Sequence, residues 1–520
     1  MPTLHWIGKE KVINHHLDVP YRVLDHAYGY RDGKTNSQET ESGNKIIHGD
    51  NLEALKSLLP EYEGRIQCIY IDPPYNTGNE GWVYNDNVND PKIKKWLGHV
   101  VGKESEDLSR HDKWLCMMYP RLKLLQKLLS ENGVIFISCD DIEQANLRLM
   151  LDEIFIKSNF ISQFIWKSRQ NKDNRNINKV SNDHEYIICY GKTLKGIERD
   201  SSTYSNPDND PRGPWVSENM VGLLGEKQRP NLHYDLVNPK TGINYGKPKM
   251  GWRYDQTTMS NLIEEDRIIW PSRENGRPRR KKFISELKED VNGYSSIIGH
   301  NIYTRNGTSE IQSIFGSRVF EFSKPSELIK ELILQSTSND SIILDSFAGS
   351  GTTAQAVLNQ NKLDGGNRKF ILIEMQDYAE SITAERVKRV IKGYGDKEGT
   401  GGSFDYYTLG QPIFNEEGHL NETVGITRIR QYVFYTETKT PLANLSENAH
   451  SDLMGTYEGT AYYFYYDPDI PTTLDRGYLS AITEKADQYV IYADNCLLDP
   501  GFMLKHNIIF KKIPRDITRF

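Results

Sequence analysis

Ile342-Ile343-Leu344-Asp345-Ser346-Phe347-Ala348-Gly349-Ser350-Gly351-Thr352-Thr353 is the stretch whose reading decides the fold. An apolar run ends on a carboxylate, a glycine turn follows, and Thr352 to Leu358 takes up helical spacing. That pattern reads as a buried strand feeding a helix. Glycine lets the backbone approach a ligand closely, and the helix N-terminus beyond it offers free N–H groups. The next apolar run, Phe370-Ile371-Leu372-Ile373, ends on Glu374, where a carboxylate can accept hydrogen bonds from ribose hydroxyls. No Gly-Lys-Ser/Thr is present, so the turn is not a Walker phosphate loop. Thr352-Thr353-Ala354 stands where a dinucleotide fingerprint needs its third glycine. Taken alone, the turn also suits a structural corner between strand and helix.

The same rhythm extends outward. Ile46-Ile47 ends at Gly49-Asp50, Gln67 to Ile71 ends at Asp72, Gly133 to Ser138 ends at Asp140-Asp141, and Tyr186 to Tyr190 ends at Gly191. Leu122, Leu125 and Leu129 share one face of a helix, and Ala384 to Ile391 predicts another. Strands alternating with helices imply an α/β fold, a parallel sheet covered on both faces. The sheet comes in two halves, 46–167 and 320–395, split by an insert over 168–319 rich in Asn, Arg, Lys, Pro and Gly. Residues 1–45 read as a polar N-terminal extension. From 396 to 520 the sequence turns acidic and Tyr-rich, including Tyr462-Tyr463-Phe464-Tyr465-Tyr466, which predicts an α+β C-terminal domain.

Composition narrows the class. The 520 residues are 37% hydrophobic, with a mean hydropathy of −0.64. No apolar run approaches the ~18 residues of a membrane helix, and the N-terminus lacks a leader's apolar core. Five cysteines without a C-x-x-C pair give neither a disulfide framework nor a zinc ribbon, so no metal is expected and a reducing, cytoplasmic compartment fits. The net charge is −7, unevenly spread. Residues 396–520 hold 11 Lys+Arg against 18 Asp+Glu, whereas 165–323 hold 25 against 20. A basic middle in an acidic chain points to a polyanion there, or to a solvated mixed surface.

Asp72-Pro73-Pro74-Tyr75 follows the strand that ends at Ile71. Two prolines stop strand pairing abruptly and fix their neighbours beyond the sheet's carboxyl edge. A carboxylate there accepts hydrogen bonds from an amine, and tyrosine offers a flat face for stacking. Together they form a receptor for a planar base bearing an amino group. The plainer reading is a proline turn with an exposed Asp.

The pairing of the two motifs resembles the amino-group DNA methyltransferases that use S-adenosylmethionine. Asp72–Tyr75 matches their D-P-P-Y motif and Phe347–Gly351 their F-x-G-x-G motif. D-P-P-Y comes first, a long insert follows, and F-x-G-x-G comes late; this is the circularly permuted β-group order, with target recognition between the motifs. Asn44 to Leu52, Ile71 to Asn79, Trp252-Arg253, Lys324-Pro325 and Gly401 to Gly410 look like the Mod subunits of type III restriction–modification systems. The resemblance implies a circularly permuted Rossmann-like sheet with an inserted DNA-recognition domain. It implies N6 methylation of adenine in double-stranded DNA, since Asp at the first D-P-P-Y position favours adenine over cytosine. It also implies a second copy and a Res-type nuclease–helicase subunit as partners; the acidic domain over 396–520, a poor phosphate binder, is expected to dock one of them.

Site residues follow from the same resemblance. Asp72, Pro73, Pro74 and Tyr75 carry catalysis. Asp50, Asn51, Lys324, Asp345, Phe347, Ala348, Gly349, Gly351, Thr352, Thr353 and Glu374 hold the cofactor. Asp50 reads equally well as the N-cap of the helix Leu52–Leu59. DNA contacts fall to Asn76 and to two basic groups: Lys167, Arg169, Lys172, Arg175 and Lys179, and then Arg273, Arg277, Arg279, Arg280, Lys281 and Lys282. A base amine is a poor nucleophile because its lone pair is delocalised, so Asp72 and the Pro73 carbonyl must localise it. The target base must leave the duplex, with Tyr75 offering it a stacking surface. Other readings stay open: a non-catalytic DNA-specificity subunit, a cytosine-N4 methyltransferase, or methylation of RNA or protein.

Overall fold

The structure, a computed structural model, describes residues 3–76, 91–172, 179–198, 200–273, 275–287, 291–442 and 452–515. Thr77 to Asn79 and Arg175 lie outside the described residues.

Among these residues, eleven strands form one sheet. In chain order they are β1 (Arg22–Arg31), β2 (Lys34–Asn36), β3 (Lys45–His48), β4 (Ile66–Ile71), β5 (Leu129–Cys139), β6 (Phe160–Trp166), β7 (Glu185–Gly191), β8 (Ile297–Ile298), β9 (Ile342–Asp345), β10 (Lys369–Glu374) and β11 (Ser403–Pro412). Their order across the sheet is β8-β6-β7-β5-β4-β9-β10-β3-β11-β1-β2. The run from β5 to β11 is parallel throughout. Apart from β11, its strands are rich in Ile, Val and Leu because both faces are covered; Ile69, Ile71, Ile135, Ile137, Leu344, Ile371 and Ile373 join one buried cluster with the helices Asn51–Tyr62 and Arg110–Leu128.

The second half of the chain enters the sheet in its middle. β9 pairs with β4 on one side and β10 on the other, while β4 leads on to β5 in the opposite direction. Strand order therefore reverses between β4 and β9. In open α/β sheets ligands bind at such a point, beyond the carboxyl ends of the strands. Both motifs begin there.

Three expected boundaries move. Residues 1–45 are not a mere extension, because β1 lies antiparallel to β11 and pairs with β2 inside the sheet. Its burial alternates, so its sequence is half polar and does not read as a core strand. The C-terminal domain does not start at 396, because β11 pairs with β3 in the parallel run. The insert is shorter than 168–319. β7, with Ile187 to Tyr190 buried, belongs to the main sheet, and the separate compact unit spans Lys195–Tyr294.

That unit has its own core of Met220, Leu236, Trp252, Met259, Leu262 and Ile268. Its sheet joins Ile268–Ile269, Arg279–Phe283 and Trp215–Asn219. In the main unit, the chain after β11 forms the helix Ile426–Thr438 and a sheet of Leu453–Tyr457, Thr460–Phe464, Gln488–Ala493 and Ile508–Lys512. The expected α+β character is present. One face packs on Val23 of β1 through Val433, Phe434 and Tyr462.

Candidate active site

Asp72 follows β4 and is 6% exposed. Lys324 lies against it, donating from Nζ to both carboxylate oxygens at 2.8 Å and to the Tyr75 hydroxyl at 2.8 Å. The ammonium also sits 4.8 Å from the centre of the Tyr75 ring. The Tyr75 hydroxyl donates to Glu185 Oε2 at 2.9 Å, and Lys324 Nζ is 3.4 Å from the same oxygen. Burial pushes the Asp72 carboxyl above the usual range, and Lys324 opposes that shift. Burial pushes the Tyr75 phenol well above its usual value, and Asp72 and Glu185 add to the rise. Trp114 Nε1 donates to the Pro74 carbonyl at 2.6 Å, which fixes the proline turn.

Asn76 was expected to face DNA. It is fully buried, with φ 63°, and its amide donates to Glu143 and to the Arg110 carbonyl. Asn tolerates this left-handed backbone better than most residues. Its place is in holding the turn after Tyr75, so the assignment to DNA is corrected.

The glycine turn follows β9. Asp345 accepts from the Phe347 amide at 3.0 Å and from Thr353 Oγ1, bracing the turn at both ends. Gly351 has φ 82°, and a Cβ there would meet the Thr383 carbonyl at 3.1 Å, so glycine is required on two counts. Glu374, at the end of β10, accepts from the Gly349 amide at 2.8 Å and from the Gln376 amide at 2.9 Å. Burial pushes the Asp345 and Glu374 carboxyls up to about 7. Below the turn, the fully buried Arg386 donates to Ser350, Thr352, Ser323 and Gln355, with Glu310 at 3.2 Å as its counter-charge.

Two clefts meet at Phe347. One, of about 480 Å³, is lined by Asn51, Pro74, Met117, Arg121, Ser346, Glu374, Met375, Gln376 and Tyr378. The other, of about 270 Å³, is lined by Asp72, Lys324, Asp345, Ala348, Gly349, Thr352 and Thr353 among others. The residues read from both motifs thus converge. Asp50 caps the helix Asn51–Tyr62, accepting from Leu52 and Glu53 amides at 2.9 and 3.1 Å. Its other oxygen lies 3.9 Å from Arg121. Asn51 accepts from Arg121 Nε at 2.6 Å and donates to the Ser346 carbonyl. Sequence reasoning missed Glu185, Arg121, Tyr378 and Arg386. Each lies on a different element from the motif it serves, so no spacing could have tied them together.

The basic groups divide. Lys167 and Arg169 are exposed and follow β6. The last residue of β6, Trp166, pairs with Glu185, so both cations lie at the edge that carries Asp72. In the compact unit 195–294, the run Arg279 to Lys282 is a strand rather than a free cationic face. Lys281 is 6% exposed and bonds Asp210 at 3.2 Å. Arg280 pairs with Glu218 and Glu286. Arg279 bonds Ser217 Oγ at 2.6 Å, and Lys282 lies 3.5 Å from Glu218. Expecting four phosphate contacts from this run is corrected: strand alternation buries Lys281, and acidic neighbours neutralise Arg280.

Fold and site define an α/β protein in which a buried carboxylate and a glycine turn share a cleft at the point where strand order reverses. The chain belongs to the DNA methylase family, whose model matches residues 66–385. It is 35% identical over 364 residues to the type III restriction–modification enzyme StyLTI Mod subunit of Salmonella typhimurium, covering 65% of this chain and 53% of that one. It is 32% identical over 469 residues to the EcoPI Mod subunit of Escherichia phage P1, covering 75% and 68%. It is also 35% identical over 355 residues to the type II methyltransferase M.KpnI of Klebsiella pneumoniae, covering 64% and 81%. The chain thus spans about half the length of the StyLTI subunit it matches. The resemblance read from Asp72–Tyr75 and Phe347–Gly351 is borne out.

Proposed function

We propose that the chain is a site-specific DNA methyltransferase that transfers a methyl group from S-adenosylmethionine to the exocyclic N6 amine of an adenine turned out of its duplex. The observation that carries this reading is the placement of Asp72 and the Gly349–Gly351 turn on neighbouring strand ends, where strand order reverses.

The residues present fit the cofactor. The buried Glu374 carboxylate beside the larger cleft is an acceptor for ribose hydroxyls, and the smaller cleft leads from the glycine turn to Asp72. S-adenosylmethionine, when bound, supplies a methyl group on a positively charged sulfur. Asp72 accepts the amine's N–H bonds and draws its lone pair out of the ring, so positioning and electrostatics supply the rate. The proton lost from the methylated nitrogen passes to Asp72 or to water. Tyr75 gives the flipped base a stacking face, while Lys167 and Arg169 hold phosphates beside it. The unit 195–294 reads sequence.

Likeness to Mod subunits supports a role as the modification and recognition subunit of a restriction–modification system; a second copy, a nuclease–helicase subunit and a bacterial cytoplasm belong to the same proposal. Likeness to M.KpnI over 81% of its length supports a second reading, a solitary methyltransferase. Incubation with methyl-tritiated S-adenosylmethionine and duplex DNA tests the activity. The chain should label DNA, and Asp72→Ala should not, while calorimetry shows that the variant still binds cofactor. Labelling by Asp72→Ala at near-normal turnover would overturn the reading.

A further inference from the structure

In this structure the acceptor that an amine needs is already taken. Lys324 Nζ lies 2.8 Å from each Asp72 oxygen. Lys324 lines the same cleft as Asp72, so a base amine entering it competes with the ammonium for the carboxylate. The ammonium cannot simply be left behind, because Lys324 is only 10% exposed, and a buried charge without a partner is costly. The geometry supplies a place for it. Glu185 Oε2 is 3.4 Å from Lys324 Nζ and 2.9 Å from the Tyr75 hydroxyl, which itself bonds Lys324 at 2.8 Å. The Glu185 side chain is 18% exposed, dry enough for its charge to count.

We propose that Glu185 is a positioning residue for methyl transfer, one that takes over the Lys324 ammonium when a base amine claims Asp72. The inference rests on the methyltransferase reading above. The charges decide it. Asp72, Glu185 and Lys324 carry two negative charges and one positive. With Glu185 present, Lys324 is neutralised away from Asp72, and the Asp72 charge stays available to a nitrogen that becomes positive as it gains a methyl group. Without the Glu185 charge, Asp72 is the counter-ion left beside the ammonium among the described residues, and the ammonium competes with the amine for it. Tyr75 serves both arrangements, since its hydroxyl touches Lys324 and Glu185 together.

The test is Glu185→Gln, which keeps the shape and the acceptor for Tyr75 but removes the charge. Single-turnover methylation at saturating cofactor and DNA should slow at least tenfold, with both binding constants within twofold of the parent. Glu185→Asp, which keeps the charge, should recover a clear part of the rate. A Glu185→Gln rate within twofold of the parent would overturn the proposal. So would a loss matched by equal loss of cofactor or DNA affinity, or Glu185→Asp no faster than Glu185→Gln. If Glu185→Gln lacks a cooperative melting transition, Glu185→Ala, which also removes the charge, carries the test: a slower rate with unchanged affinities supports the role, and an unchanged rate ends it. The parent chain and Asp72→Ala run alongside. No labelling by the parent defeats the methyltransferase reading itself. An active parent, an inactive Asp72→Ala and an unaffected Glu185→Gln defeat this inference alone.

Discussion

At Tyr75 the ring and the hydroxyl have different tasks. Burial and the nearby carboxylates of Asp72 and Glu185 keep the phenol protonated, so it is no base at neutral pH. Its ring supplies stacking, worth ~1–3 kcal/mol per base by alanine substitution. Tyr75→Phe should therefore retain more activity than Tyr75→Ala, which should lose about tenfold or more; equal losses in a methylation assay would assign the role to the hydroxyl. Glu374 carries a pH prediction. Burial lifts its carboxyl to about 7, so the folded protein favours the neutral acid. Its contribution to stability is full below the ordinary carboxylate range and is lost as pH rises through about 7. Cofactor affinity should move the other way, since ribose hydroxyls donate more strongly to the ionised form. Calorimetry from pH 6 to 8 should show affinity rising, with Glu374→Gln weaker by ~1–3 kcal/mol and less pH-dependent. A pH-independent parent would contradict the assignment. Glu374 was legible because it ends an apolar run, and Tyr75 because the Asp72-Pro73-Pro74-Tyr75 motif follows one. Glu185 was not, because it begins one on an antiparallel strand, and only the sheet brings it to Asp72.

At the scale of elements, the basic insert teaches the same lesson. A run of four cations reads as a phosphate-binding face, yet a strand turns alternate residues to opposite sides. Lys281 therefore points into the unit 195–294, against Asp210. Lys281→Ala should destabilise that unit, seen as an earlier unfolding transition in denaturant. Lys167→Ala and Arg169→Ala should leave stability unchanged. Each should lower the log–log salt slope of DNA binding by ~0.9 for the phosphate contact removed. An unaltered slope would make these residues a solvated face. The parallel strands β4, β5, β9 and β10 were legible as apolar runs that end on or lead into Asp or Glu, whereas β11, with its mixed Ser-Phe-Asp-Tyr-Tyr-Thr sequence, was not. β1 was not, since its half-polar alternation matched no core strand.

At the scale of the molecule, the order of the motifs in the chain and their order in space differ. β9 and β10 come late in sequence but sit between β4 and β3, and that crossing brings Asp72 to the glycine turn. β11 comes later still and lies between β3 and β1. A truncation at Gly399 should therefore leave no folded protein, because it strips β11 from the sheet. Circular dichroism showing a cooperative, soluble fragment would contradict the sheet order. The central claim, transfer of a methyl group to adenine at Asp72, is tested most directly by single-molecule sequencing of DNA from a host expressing the chain. N6-methyladenine should be found in one sequence context and vanish with Asp72→Ala. Unmodified DNA, N4-methylcytosine instead, or a signal that survives Asp72→Ala would contradict it.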